Sequence, residues 1–209
     1  MAHGDDKGLV LPPKIAPVQA VIIPILFEKT KGEVLAEASK IQYSLEEAGI
    51  RAHLDARDAY SPGFKFNEWE LKGVPLRIEI GPRDIKNGEV ILARRDTGEK
   101  RNVKITGLKN AATIALESIQ ASLFVKSRKF VETHITEVKD YAIFKKIVED
   151  GGGFAQISWC GDSKCEEKIK EETGATLRVI PFDEKVKPKS KCVYCGKDAK
   201  ESVYAARAY

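Results

Sequence analysis

The chain has 209 residues, 43% of them apolar, with 35 Lys and Arg against 31 Asp and Glu for a net charge of +4. That length holds one large domain or two small ones with real cores. The near balance of charge excludes a chain that coats nucleic acid by bulk electrostatics, so any basic surface is local.

The first 17 residues are turn-rich: His3-Gly4-Asp5-Asp6-Lys7-Gly8, then Leu9-Val10-Leu11 and Pro12-Pro13. They do not read as the start of an independent domain. Val18 to Ile25 is a nearly continuous apolar run, the pattern of a strand buried on both faces. Apolar residues at Val34, Ala38, Ile41, Leu45 and Ala48 predict an amphipathic helix over Lys31 to Ala48, closed by Gly49. Arg51 to Asp55 is a short strand, so the opening unit is strand-helix-strand, expected to be parallel. Ser61-Pro62 starts a helix that runs to about Lys72, with proline at its first helical position.

Pro75 to Gly81 alternates, with Leu76, Ile78 and Ile80 on one face and Arg77 and Glu79 on an outward one. Glu89 to Arg95 and Arg101 to Thr106 are two further strands joined by the turn Asp96-Thr97-Gly98. One long helical pattern covers Lys109 to about Val138. The expected fold is therefore α/β: a five-stranded mixed sheet with flanking helices, followed by a small α+β domain. That second part has a helix over Tyr141 to Glu149, a break at Gly151-Gly152-Gly153 and a strand over Phe154 to Trp159. A charged helix (Ser163 to Glu172, capped by Gly174), a strand (Thr176 to Pro181), a lysine-rich loop (183–191) and a last strand (Ser202 to Tyr209) complete it.

The four cysteines form two close pairs, Cys160 with Cys165 and Cys192 with Cys195. A two-residue gap in Cys192-Val193-Tyr194-Cys195 lets one tight turn present two thiolates to one ion. Four sulfurs fill a tetrahedral zinc site and leave no position for substrate, which makes the expected Zn2+ structural. Two disulfides, a redox pair and unligated core thiols are the competing readings. No signal peptide is visible, and no apolar run approaches the roughly 18 residues of a membrane span. The expectation is a cytoplasmic protein with no membrane partner, a setting that favours reduced or metal-bound thiols. None of the three histidines (His3, His53, His134) neighbours a plausible serine or cysteine nucleophile, so histidine-based nucleophilic catalysis has little support.

The Ser61 helix places Phe66 and Glu70 four residues apart on one face, and Arg77 follows on the next strand. Beyond it lie Arg83, Lys86, Arg94, Arg95, Lys100, Arg101 and Lys104, assigned to the hairpin. An exposed ring, a carboxylate and a forked guanidinium suit the reading of an unstacked base: stacking, acceptance from a guanine N1/N2 edge, and donation to O6/N7. The bland reading puts Phe66 and Trp69 in the core and leaves Arg77, Glu79 and the rest as a solvated charge face; Trp69 reads as core in either case.

Three stretches resemble the C-terminal part of prolyl-tRNA synthetase of the archaeal and eukaryote-like type. His3 to Pro13 resembles the segment after the third class II motif. Phe64 to Arg77 with Gly81-Pro82-Arg83-Asp84 resembles the anticodon-binding domain. Gly151 to Cys160, the second cysteine pair and Tyr209 resemble the zinc-containing C-terminal domain. The resemblance implies a remnant of the class II catalytic domain over 1–17, an anticodon-binding domain over 18–125 and a zinc-binding domain over 126–209. It further implies that Phe66, Glu70 and Arg77, with Arg95 and Lys100, bind the anticodon of tRNA(Pro). Cys160, Cys165, Cys192 and Cys195 become the zinc ligands, and Tyr209 a group able to reach the catalytic domain. ATP and Mg2+ belong to the class II catalytic domain, the arginines and proline pocket of which these residues lack. No catalytic residue is assigned, the fragment alone is expected to be inactive, and the full enzyme is expected to be a homodimer. A stand-alone zinc-stabilised RNA-binding or protein-interaction module is the alternative.

Overall fold

A computed structural model describes residues 3–151, 153–182 and 187–207. The chain divides into two compact units between Ser127 and Arg128. Among the described residues no helix is long and apolar enough to cross a membrane.

The first unit opens with a two-stranded ribbon, β1 (Gly4–Asp5) and β2 (Gly8–Leu9), paired antiparallel. The turn-rich opening thus has regular structure of its own. β3 (Ala20–Pro24) is buried along its whole length, as its apolar run predicts. After it come α1 (Lys31–Glu47), β4 (Ala52–Leu54), α2 (Pro62–Leu71) and β5 (Leu76–Ile80). α3 (Pro82–Asn87), β6 (Glu89–Arg94), β7 (Lys100–Lys104) and α4 (Leu108–Thr133) follow. The sheet order is β4-β3-β5-β6-β7, with β3 parallel to both β4 and β5 and the other pairs antiparallel.

Both faces of this sheet are covered. Ala20, Ile22, Leu76, Ile78 and Leu92 pack against Ala38, Ile41 and Leu45 of α1 and Ala112, Ala115 and Ile119 of α4. Each large aliphatic side chain buried there contributes about 1.5–3 kcal/mol. On the opposite face Val21, Ile23 and Val74 meet Phe66 and Trp69 of α2.

Two expectations are corrected. α3 replaces a stretch assigned to the hairpin, and Arg83 and Lys86 lie on it. Its signals are local: Pro82 at the first position, the Asp84 side chain accepting the Gly81 N–H at 2.7 Å, and Gly88 left-handed at the end. The helix is too short to show an apolar period. α4 stops at Thr133, and Ile135–Glu137 forms β8 instead of continuing the helix to Val138. β8 pairs parallel with β9 (Phe154–Trp159), where the Phe154 N–H donates to the His134 carbonyl at 2.8 Å. Gly153 allows that approach, since a Cβ there would lie 2.4 Å from the His134 oxygen.

The second unit adds α5 (Tyr141–Glu149), α6 (Ser163–Thr173), β10 (Ala175–Val179) and β11 (Glu201–Arg207). Its sheet runs β10-β11-β9-β8. Phe144 and Val148 of α5, Ile169 of α6 and Ile157, Val203 and Ala205 of the sheet form its core. Asp140 caps α5 by accepting the Ala142 and Ile143 N–H groups, and Asp162 caps α6 by accepting that of Lys164. Tyr209 and residues 183–186 of the lysine-rich loop lie outside the described residues.

Candidate nucleic-acid interface and candidate metal centre

Ser61 accepts the Phe64 N–H at 3.3 Å and so begins α2 where the sequence predicts. From this helix Phe66 and Trp69 turn toward Val21, Ile23 and Val74, while Glu70 borders a cleft of about 180 Å³. Arg77 on β5, Lys100 on β7 and Arg95, just past β6, line the same cleft. The Arg77 guanidinium carbon lies 4.4 Å from the Phe66 ring centroid, and Lys100 Nζ lies 5.6 Å from it. Both cations therefore sit within cation–π range of one ring.

All five residues expected at a base-reading surface are thus near one another, yet they do not play equal parts. Arg95 is only 5% exposed in its side chain. Its Nε donates to the Glu70 carbonyl at 3.0 Å, and Nη1 and Nη2 donate to the Asp5 carboxylate at 2.9 and 2.6 Å. It supports the backbone that carries Glu70 and keeps its fork turned inward. The bond from Arg95 holds the Asp5 carboxyl down at about 2. Lys7, on the same ribbon, lies 3.5 Å from Glu70 Oε1. The ribbon reaches these partners because Gly8 and Gly73 allow close approach. A Cβ on Gly8 would meet the Leu71 backbone at 2.7 Å, and one on Gly73 would meet Leu9 at 2.6 Å.

The outward, solvated face expected for Arg77 and Glu79 is also corrected. α2 covers it, and Glu79 is 4% exposed. Arg77 Nε and Nη2 donate to Glu79 Oε1 at 3.0 and 2.9 Å, and Lys100 Nζ reaches the same oxygen at 2.9 Å. The wider basic array is largely paired within the fold. Arg94 donates to Asp96 and Ser118, and Lys104 pairs with Glu89 at 2.9 Å.

Below α2 lies a second buried group that the sequence did not single out. Asp55 accepts from Arg57 Nε at 2.8 Å, Arg57 Nη2 at 2.7 Å and Trp69 Nε1 at 2.8 Å. Lys65, 2% exposed, donates to the Asp55 carbonyl at 3.1 Å. Arg57 holds the Asp55 carboxyl well below the usual carboxylate range, whereas burial lowers the pKa of the Lys65 ammonium. A lysine on a helix carries no hydrophobic signal of burial in the sequence.

In the second unit the sulfurs of Cys160, Cys165, Cys192 and Cys195 all lie within 4.8 Å of one another. Cys160 and Cys165 are 3.6 Å apart, and Cys160 and Cys195 are 3.8 Å apart. A disulfide needs about 2.0 Å, whereas a tetrahedron of sulfurs about 2.3 Å from a central ion has edges of ~3.8 Å. The two shorter separations are near that edge length, the cysteines are free, and the cluster could hold a metal ion. β9 delivers Cys160, the first turn of α6 delivers Cys165, and the turn 192–195 closes with Gly196 N–H donating to the Cys192 carbonyl at 3.0 Å. Burial pushes the Cys165 and Cys192 thiols up, while the Lys197 N–H draws Cys195 down to about 7. Tyr194, between the last two cysteines, donates to Glu172 of α6 at 2.9 Å and fixes the turn against that helix.

A family model described as the anticodon binding domain matches residues 19–113, and one described as prolyl-tRNA synthetase, C-terminal, matches residues 141–209. The chain thus carries an anticodon binding domain followed by a prolyl-tRNA synthetase C-terminal domain. It is 46% identical over 209 residues to a proline–tRNA ligase of Clostridioides difficile, covering 100% of this chain and 43% of that relative. It is 45% identical over 210 residues to that of the archaeon Cenarchaeum symbiosum, again covering 43% of the relative. For Methanosarcina mazei the figures are 44% over 207 residues, with 42% of the relative covered. The chain thus spans less than half the length of these synthetases. The cleft residues Phe66, Glu70, Arg77, Arg95 and Lys100 fall in the anticodon-binding match, and all four cysteines fall in the synthetase C-terminal match. Asp5 and Lys7 precede both.

Proposed function

We propose that this chain reads the anticodon of tRNA(Pro) on behalf of a proline–tRNA ligase. The observation that carries the reading is the cleft itself. Glu70, Arg77 and Lys100 converge on it, with Arg77 stacked across Phe66, inside the stretch that matches an anticodon-binding domain. In this reading Glu70 accepts from the N1/N2 edge of a guanine, Arg77 donates toward O6/N7, Phe66 supplies the apolar support and Lys100 a phosphate or base contact. Arg95 acts from behind, through Asp5 and the Glu70 carbonyl.

Residues 1–17 are then the closing segment of a class II catalytic domain, 18–125 the anticodon-binding domain and 126–209 a domain stapled by Zn2+ on the four cysteines. ATP, Mg2+ and ligation of proline belong to the remainder of a cytoplasmic, homodimeric synthetase. The 209 residues alone give no proline-dependent ATP–pyrophosphate exchange.

The test is a binding comparison between tRNA(Pro) and versions with each anticodon guanine replaced. Each replacement is expected to cost about 1–3 kcal/mol. Arg77→Ala should erase the preference at one position while leaving the chain folded. Equal affinity for all the RNAs would refute the reading in favour of a stand-alone zinc-stabilised RNA-binding or protein-interaction module.

A further inference from the structure

Glu79 is a buried carboxylate behind the cleft residues Arg77 and Lys100, and the proposed reading gives it no contact with RNA. Its single oxygen Oε1 receives Arg77 Nε at 3.0 Å, Arg77 Nη2 at 2.9 Å and Lys100 Nζ at 2.9 Å. A buried carboxylate needs such partners, but the arrangement also has a directional effect. Arg77 has many rotamers when free. Two hydrogen bonds from its Nε/Nη2 edge to a fixed acceptor, together with the Phe66 face 4.4 Å away, leave one orientation. In that orientation the Nη1 side has no protein acceptor among the described residues. Lys100, from a different strand, is drawn to the same oxygen and so to the same ring.

We propose that Glu79 is a specificity-determining positioning residue: it aims the guanidinium of Arg77, and with it the ammonium of Lys100, at the guanine that the cleft accepts. The inference rests on the anticodon reading above. Glu79 keeps Arg77 pre-oriented, so donation toward O6/N7 needs no reorganisation of the side chain. Glu70 stands on a different element, and its contact with the N1/N2 edge does not run through Glu79.

The separation of edges supplies the experiment. The full chain and its variants bind anticodon stem-loops carrying guanine, 7-deazaguanine (no N7 acceptor) or inosine (no 2-amino group) at each anticodon guanine in turn. The unaltered chain is expected to prefer guanine over 7-deazaguanine by about tenfold at one position, the size of one good contact, and to penalise inosine through Glu70. Glu79→Gln keeps the size of the side chain and one acceptor but removes the charge that gathers both cations. It should reduce the guanine over 7-deazaguanine preference to within about twofold and leave the inosine penalty as it was. Thermal melting checks that the variant is folded. If it is not, Glu79→Asp, which draws the carboxylate back by one methylene, gives the same readout.

Retention of the 7-deazaguanine preference in Glu79→Gln overturns the inference. Parallel loss of both preferences also overturns it, because that is the result of a general disturbance of α2 and β5. Arg77→Ala separates the two levels. If Arg77→Ala loses the 7-deazaguanine preference and Glu79→Gln does not, only the positioning role fails. If the unaltered chain shows no such preference, or Arg77→Ala keeps it, the assignment of Arg77 fails and takes this inference with it.

Discussion

Replacing Asp55 with asparagine removes one charge from the most enclosed polar group in the first unit. Asp55 is 2% exposed, as is Lys65, whose Nζ lies 3.9 Å from Asp55 Oδ1. An asparagine oxygen can still accept from Trp69, but its amide N–H groups would face those of Arg57. Arg57 is half in solvent and retains Glu68 as a partner, so its loss is small. Lys65 has no other anion within ion-pair distance among the described residues. Stranding one buried member of such a pair costs about 3–5 kcal/mol, and the surviving bond from Lys65 to the Asp55 carbonyl places the expectation near 3. For a unit of this size that corresponds to a fall of roughly 10 °C in Tm.

Thermal unfolding followed by circular dichroism at pH 7 measures it, and a second variant tests the cause. Lys65→Met removes the orphaned charge at similar volume, so Asp55→Asn with Lys65→Met should recover about 1–3 kcal/mol of the loss. The pH dependence has a fixed sign. The folded Asp55 carboxyl is depressed, chiefly by its bond from Arg57. Its stabilisation is therefore present above the unfolded value near ~4 and is lost as pH falls through the lower folded value. The gap between the parent chain and Asp55→Asn should narrow only below about pH 4. A melting point for Asp55→Asn within about 2 °C of the parent would refute this account. So would a further fall on adding Lys65→Met.

Two other outcomes follow from the same geometry. Protein purified without added metal should carry about one equivalent of zinc, and chelation should raise amide exchange across 141–207 far more than across 18–106, because ligand binding there is folding energy. Less than about half an equivalent, with four titratable thiols, would count against the site. Asp5 should titrate at about 2 by NMR and rise toward its ordinary value of 3.8 in Arg95→Ala, with the Lys7 N–H still holding it somewhat down. Its contribution to holding the ribbon is then present above pH ~4 and lost as pH falls toward 2, and a midpoint unchanged by Arg95→Ala would rule out that pairing in solution.

Most elements were legible from local pattern. The alternation of Leu76, Ile78 and Ile80, the period of Val34 to Leu45 and the Ser61-Pro62 start are written within a few residues of one another. β8 was not, since Ile135 to Glu137 becomes a strand only through pairing with β9, and helical pattern ran on past Thr133. The cysteines were legible as a candidate ligand set because residue type and spacing carry that chemistry, and the fold brings the four sulfurs within 4.8 Å of one another, where they could hold a metal ion.

Sequence alone determined most of the strands and helices, the two cysteine pairs and the residue types grouped around Phe66, Glu70 and Arg77. Period and spacing are properties of neighbours along the chain. Tertiary structure decided which of those groups border the cleft and which turn into the protein. Arg95 turns to Asp5, ninety positions away. Glu79, on a strand that reads as half exposed, lies under α2 and gathers Arg77 and Lys100 onto one oxygen. Alternation reports which face of a sheet a residue occupies, but whether that face meets water or a helix depends on packing between elements distant in sequence.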